Sequence, residues 1–180
     1  MAAVNSAGRL GLSFEIQGVP QINRILGVRI KAIKDLRPAW GEVYDLLRKQ
    51  EVDVFTKRGA IGEAAPESGV GTWLEWKPLK PKYAELKKAM GFGSKIMILT
   101  GDLHRSLTQK GAPSSVFGSH LLWMEFGTLI PYAAVHQRPK PTNPLPKREP
   151  IRISKVTVRG IVRIISSHLT ETDQKVRANL

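Results

Sequence analysis

The 180-residue chain reads as a mixed helix-and-strand protein, and three features of its sequence say so. Apolar residues recur at helical spacing through residues 22–55 and again through 158–169. Short apolar runs near residues 114–118 and 121–126 have the length of strands. Between the periodic segments lie Gly- and Pro-rich stretches that interrupt both patterns.

The elements follow in order. Leu12–Gln17 alternates Leu, Phe and Ile with polar residues, as a half-buried strand does. Gly18 breaks the run, and Pro20 suits the first turn of a helix. Ile22, Ile25, Leu26, Arg29, Ile30 and Ile33 then fall at helical spacing. Asp35 and Pro38 mark a kink or a fresh start, after which Trp40, Val43, Tyr44, Leu47, Val54 and Phe55 continue a stripe expected in the core. Thr56–Thr72, rich in Gly and with little periodicity, is expected to be a long surface loop. Pro78–Met90 is a short amphipathic helix with Leu79, Tyr83, Leu86 and Lys87 on helical spacing, closed by Gly91-Phe92-Gly93. Ile96–Leu99 is apolar, and Asp102–Leu107 makes one or two helical turns that bring Leu103 and Leu107 together. Strands are expected around Ser114–Gly118 and Leu121–Phe126, and Pro131 opens a short helix in which Tyr132 and His136 share a face.

The last stretch is less regular. Five prolines between Arg138 and Pro150 forbid regular structure and predict an extended arm or a turn-rich loop. Ile151–Ile153 is strand-like, and Ser154 is a cap for a helix to about Leu169 with Val158, Ile161, Val162, Ile165 and Leu169 buried. Thr170–Leu180 is polar and expected to fray. A single domain is expected, divided into a helical part (1–55), a loop (56–72), a segment of mixed elements (73–169) and a tail (170–180).

Composition narrows the function classes. Hydrophobic residues make up 42% of the chain, enough for a core. The 28 Lys and Arg outnumber 15 Asp and Glu, for a formal charge of +13 that favours polyanions or acidic protein surfaces. The excess is +2 in residues 1–55, +5 in 56–110 and +6 in 111–180, so it is spread along the chain. No cysteine is present, which removes disulfides and thiolate metal sites. No apolar run approaches the roughly 20 residues that span a bilayer, and the first residues lack the pattern of a signal peptide. A soluble protein made in the cytoplasm, with no membrane partner, is expected.

Catalytic constellations do not emerge. His104, His120, His136 and His168 have no metal-ligand spacing, and Gly91-Phe92-Gly93 lacks the third glycine of a dinucleotide fingerprint. No phosphate-binding loop or nucleophile elbow occurs, and Asp102 and His104, two apart on a helix, face away from each other. No enzyme activity, metal or cofactor is expected. Lys155, Arg159 and Arg163 recur every four residues, and this basic face suits sequence-independent DNA contact as an alternative function.

One succession of motifs carries more weight. Trp76-Lys77-Pro78-Leu79 is followed by Tyr83, Lys87, Ile98-Leu99-Thr100-Gly101-Asp102-Leu103 and Ser106-Leu107. Phe117-Gly118, Gly127-Thr128, Tyr132-Ala133, His136-Gln137 and Leu145-Pro146-Lys147-Arg148-Glu149-Pro150 come next. In this order they resemble the virion morphogenesis, or tail-completion, family of Mu-like and related tailed phages. The likeness spans Trp73–Ser154. It departs at Arg138-Pro139, where the family commonly has a glycine, and at Lys147–Pro150, which interrupts the usual Arg-Pro pair.

The resemblance implies an α+β fold: a small, mostly antiparallel sheet against one or two long N-terminal helices, with a C-terminal helix. It implies a structural virion protein at the neck, or head-proximal end of the tail, assembled in the host cytoplasm. There a homo-oligomeric ring, hexameric to match the tail, would join the neck connector to tail-terminator or tail-tube proteins, near packaged DNA. The family-motif residues Trp76, Leu79, Tyr83, Lys87, Leu99, Gly101, Leu103, Ser106, Gly118, Gly127, Tyr132, His136, Pro146 and Arg148 are then expected to maintain the fold. Partner or DNA contact is expected from Lys57 and Arg58 on the loop and from Arg138, Lys140 and Lys147 on the arm. Lys155, Arg159 and Arg163 on the last helix are contact candidates as well.

Overall fold

The stripe from Trp40 to Phe55 forms one helix of 20 residues, α1 (Arg37–Thr56). The structure, a computed structural model, describes residues 2–4, 10–12, 26–28, 30–31, 33–66, 71–138 and 145–178. Asp35 and Leu36 are non-helical, so the expected break before α1 is a fresh start. Pro38 lies in the first turn, where its missing N–H costs no hydrogen bond. The Asp35 carboxylate accepts the Arg37 backbone N–H at 3.1 Å and the guanidinium at 2.6 and 2.8 Å. These contacts hold its pKa down at about 2.

The remaining elements are β1 (Ala2–Val4), β2 (Leu10–Leu12), β3 (Gly62–Glu63), β4 (Thr72–Trp73), α2 (Pro81–Ala89), α3 (Asp102–Thr108), β5 (Ser115–Ser119), β6 (Met124–Thr128), α4 (Pro131–Gln137) and α5 (Lys155–Ala178). The fold is α+β, and its strands form separate two-stranded antiparallel ladders, β1–β2, β3–β4 and β5–β6.

Two long helices form the frame. α5 runs antiparallel to α1: Ser154 and Thr157 meet Gln50, Gly160 meets Leu46, and Ile161, Ile164 and Ile165 pack on Trp40, Val43 and Leu47. The approach is close at Gly160, where a Cβ would come within 2.7 Å of Leu46 Cδ2 and displace the end of that side chain. The β5–β6 hairpin, with Phe117 opposite Phe126, covers the neighbouring face of α1. Tyr44 binds both rings, with centroids at 4.4 and 5.8 Å. A second apolar cluster lies at the other end of α1, where Val54 and Phe55 meet Trp76, Leu103, Leu107 and Ala133. Leu103 and Leu107 are wholly buried, as their spacing predicts.

Several expectations need correction. Residues of the 22–33 stripe that are described are helical, but Leu26, Ile30 and Ile33 are 48–57% exposed, so their apolar face is uncovered. Only Leu12 of the expected Leu12–Gln17 strand is among the described residues, and it pairs with Ala2. On α5, Val162 is 57% exposed and Ile164 takes the place expected for it, because the contact stripe is narrower than the apolar set. The helix also continues past Leu169 to Ala178, through the tail expected to fray.

The expected loop and arm are also packed segments. In Thr56–Thr72, β3 pairs with β4, and Gly59, Ala64 and Ala65 are buried. Ala64 bridges Ser154, and the Ala65 N–H donates to the Ile153 carbonyl at 2.9 Å. Small side chains allow this backbone to enter the interior, provided its polar groups find partners there. In Arg138–Pro150, residues 139–144 lie outside the described set, while Arg148 and Pro150 are buried. Ile151 joins no ladder; the Gln137 side-chain amide donates to its carbonyl at 2.9 Å and accepts its N–H at 3.1 Å, in place of a neighbouring strand. The second strand of the expected hairpin starts at Met124, leaving Leu121–Trp123 as the turn.

Candidate functional site

The motif residues converge through backbone-directed hydrogen bonds. Trp76 is buried, donates from Nε1 to the Glu149 carbonyl at 3.1 Å, and meets Phe55 edge-on at 5.6 Å. Arg148 donates to the carbonyls of Lys77 and Pro78 at 2.8 and 2.9 Å, and its own N–H donates to the His136 carbonyl at 3.3 Å. Thus the Trp76, His136 and Arg148 motifs form one joint, about 70 residues apart in sequence. Pro146 lies half-buried just before it. Burial and the Arg148 charge lower the His136 pKa, and its Nδ1 is buried without a partner. Tyr132 is 45% exposed, and although it shares a helix face with His136, no ring contact or hydrogen bond joins the two.

A second set closes the loop after α2. That helix was expected to bury its apolar residues, yet Tyr83 and Leu86 are exposed and only Lys87 is buried. Lys87 Nζ donates to the carbonyls of Lys95 and Ile98, at 2.5 and 2.6 Å, tying the 91–98 loop to the helix. Burial lowers its pKa. Gly101 holds the left-handed φ of 88° at the start of α3, where a side chain would strain the turn. Ser106 bonds Thr128 Oγ1 at 2.7 Å, and Gly127 is buried beside that contact on β6. Gly118 faces Glu125, whose carboxylate a Cβ would strike. Leu79 is half-buried and Leu99 is 45% exposed. Most of these residues maintain the fold, while Tyr83, Leu99 and Tyr132 reach the surface.

The buried polar centre was not expected from the sequence. Gln50 donates to the Arg152 carbonyl and accepts from the Ser154 N–H and hydroxyl at 3.1 and 3.0 Å. Thr157 also donates to Gln50. Arg152 donates to the carbonyls of Gly59 and, at 2.6 Å, Leu74. Its guanidinium lies over Trp73 and Trp76, 4.8 and 5.8 Å from the ring centroids, with Glu149 at 3.8 Å. Glu51 is 1% exposed and neither carboxylate oxygen has a hydrogen-bond partner. Loss of water therefore raises its pKa well above the ordinary 4.5, against the opposing pull of the nearby Arg152 backbone N–H and of the Arg152 charge.

The contact candidates divide by pairing. Lys57 binds Asp53 at 3.1 Å, Lys147 binds Glu149 at 2.5 Å, and Lys155 binds Glu63 at 2.9 Å. Arg58, Arg138, Arg159 and Arg163 are exposed and make no ion pair among the described residues. Lys140 lies outside the described residues. Among the described residues no three His, Asp or Glu side chains gather as a metal-ligand set, and no helix is long and apolar enough to cross a membrane.

Two surface features lie at opposite ends of α1. At its start, the β5–β6 turn exposes Leu121, Leu122 and Trp123 by 53–60%. The turn is anchored where the Leu36 N–H donates to the Leu121 carbonyl and Trp40 Nε1 to the His120 carbonyl, both at 2.7 Å. His120 stacks on Trp123 at 3.6 Å. Three apolar residues in a hairpin turn, where polar residues are usual, were the sequence signal for this surface. At the end of α1, a cleft of about 510 Å³ is lined by apolar Phe55, Pro78, Leu79, Ile96 and Ile98 and by polar Arg58, Lys95 and His104. Arg58 has a left-handed φ of 51° and is fixed by the Trp76 N–H donating to its carbonyl at 2.6 Å. His104 stands edge-on to Phe55 at 5.0 Å, and burial lowers its pKa. No protein-family model matches the chain, and no curated protein or solved structure matches it either.

Proposed function

We propose that this chain is a non-enzymatic virion assembly protein of a tailed bacteriophage. It completes the tail and joins it to the head at the neck, as a homo-oligomeric ring of six copies between connector and tail proteins. The observation that carries the reading is the ordered motif set from Trp76 to Pro150, which resembles the tail-completion family. The joint between Trp76, His136 and Arg148 supports it: residues that make up the resemblance in sequence are mutually bonded in space. Exposed apolar side chains at Leu121–Trp123 fit a protein that works by docking. The test is a phage carrying this gene, with the gene removed. Separate filled heads and free tails are the expected products; intact infectious particles would contradict the role.

A second reading has its own observation. Arg159 and Arg163 stand exposed and unpaired among the described residues of α5, on a chain of charge +13. Sequence-independent DNA binding through this face would fall steeply with salt. Absence of affinity at low salt rules it out.

A further inference from the structure

The cleft at the end of α1 gathers cations that no described carboxylate neutralises. Three segments around its volume of about 510 Å³ each contribute one basic side chain: Arg58 from the turn after α1, Lys95 from the 91–98 loop and His104 from α3. No Asp or Glu is among the lining residues. The carboxylates on the same helices are engaged elsewhere, Asp53 of α1 with Lys57 at 3.1 Å and Asp102 of α3 with Arg105 at 2.5 Å. Arg58 and Lys95 are exposed and form no ion pair among the described residues. The Lys95 charge also reaches the His104 imidazole, whose pKa is lowered first by burial and then by Lys95 and Arg105. Like charges around one space repel each other, and a bound anion removes that cost.

The backbones that carry these side chains are fixed. Arg58 stands at a left-handed φ of 51°, costly for a side chain other than Asn or Asp, and its carbonyl accepts the Trp76 N–H at 2.6 Å. The Lys95 carbonyl accepts from the buried Lys87 Nζ at 2.5 Å, so one lysine inside the fold holds another at the rim. His104 is set on α3 edge-on to Phe55, with ring centroids 5.0 Å apart. Donors on three separate segments suit a phosphate, which offers more acceptor oxygens than the two of a carboxylate. Leu79, Ile96 and Ile98 are half-buried on the same lining and form an apolar bed for the group that bears the phosphate. The cleft volume lies within the roughly 300–1,000 Å³ of small-molecule sites.

We propose that this cleft binds an organic phosphomonoester, with the phosphate among Arg58, Lys95 and His104 and its aromatic or apolar body on Leu79, Ile96 and Ile98. The site is independent of the ring reading. A free nucleotide and the 5′-phosphorylated end of a DNA strand share this chemistry, and titration calorimetry of the full chain separates them. The probes are adenosine monophosphate, adenosine, inorganic phosphate, and a short single strand with and without its 5′-phosphate. Adenosine monophosphate binds more tightly than inorganic phosphate, and adenosine does not bind. A 5′-phosphorylated strand that exceeds both adenosine monophosphate and its unphosphorylated counterpart identifies the DNA end as the source; otherwise the free nucleotide is. Arg58→Asn, which a left-handed backbone tolerates, and Lys95→Gln each weaken binding about tenfold or more, with unchanged helical circular dichroism. Lys88→Gln, at an exposed lysine of α2 outside the lining, leaves binding unchanged and so controls for the overall charge of the chain. The proposal is overturned if no phosphate probe binds at millimolar concentration, or if Lys88→Gln weakens binding as much as Lys95→Gln. A Glu-rich peptide that binds more tightly than every phosphate probe overturns it too.

Discussion

The α1–α5 seam has two unlike halves. Near the start of α1, Trp40, Val43 and Leu47 pack against Ile161, Ile164 and Ile165, with the polar indole N–H satisfied by a carbonyl. Near its end, Gln50 and Glu51 lie against Arg152, Ser154 and Thr157, with hydrogen bonds in place of apolar contact. The apolar half is non-directional and tolerates small sliding of one helix along the other. The polar half is directional, so it fixes the register of the seam and attaches the 59–65 and 148–154 backbones to it. The same helix pair therefore gains its cohesion at one end and its specificity at the other.

Removing the charge from the polar half has the largest expected effect. Arg152→Ala leaves the Gly59 and Leu74 carbonyls and the Glu149 carboxylate without their buried partner, at a cost of about 3–5 kcal/mol. Urea denaturation measures it. Leu47→Ala tests the apolar half and costs about 2–5 kcal/mol, by lost transfer energy and the cavity left behind. If Leu47→Ala far exceeded Arg152→Ala, the polar half would be a minor part of the seam.

Glu51 gives the comparison a pH signature. Its folded pKa is raised, so the folded state binds a proton that the unfolded state releases above pH 4.5. The stabilisation is full below that pH and is lost as pH rises toward the folded value, with a slope of at most about 1.4 kcal/mol per pH unit. Glu51→Gln keeps the shape and removes the titration, so its stability profile is flatter over the same range. Identical profiles for the two proteins would place the titrating group elsewhere. The smallest effect belongs to Ser154, whose Oγ accepts the Thr157 N–H at 3.2 Å as a helix cap. Ser154→Ala costs about 0.5–2 kcal/mol, which thermal melts resolve.

The apolar half was legible in the sequence because its residues obey a period: Trp40, Val43, Tyr44 and Leu47 mark one helix face whatever packs on it. The polar half was not. Gln50 and Glu51 look like solvent-facing residues of an amphipathic helix, and their partners are about 100 residues away. Arg148 lay in the proline-rich segment expected to be an extended arm and Arg152 in the strand-like run after it, yet both are buried because the backbones they join need donors. Lys87 was recognisable as a motif residue, but only the fold reveals that it closes the 91–98 loop. On the surface, Arg58, Arg138, Arg159 and Arg163 are exposed and form no ion pair among the described residues. Lys57, Lys147 and Lys155 proved to be paired with nearby acids, including one across the chain at Glu63.

The central claim is that this chain works by assembling into a closed ring. Negative-stain electron microscopy of the purified protein, paired with its native mass, tests it most directly. The account predicts rings of uniform diameter with a mass near six times 20.0 kDa. A monomer across the concentration range, or open filaments of indefinite length, would contradict it.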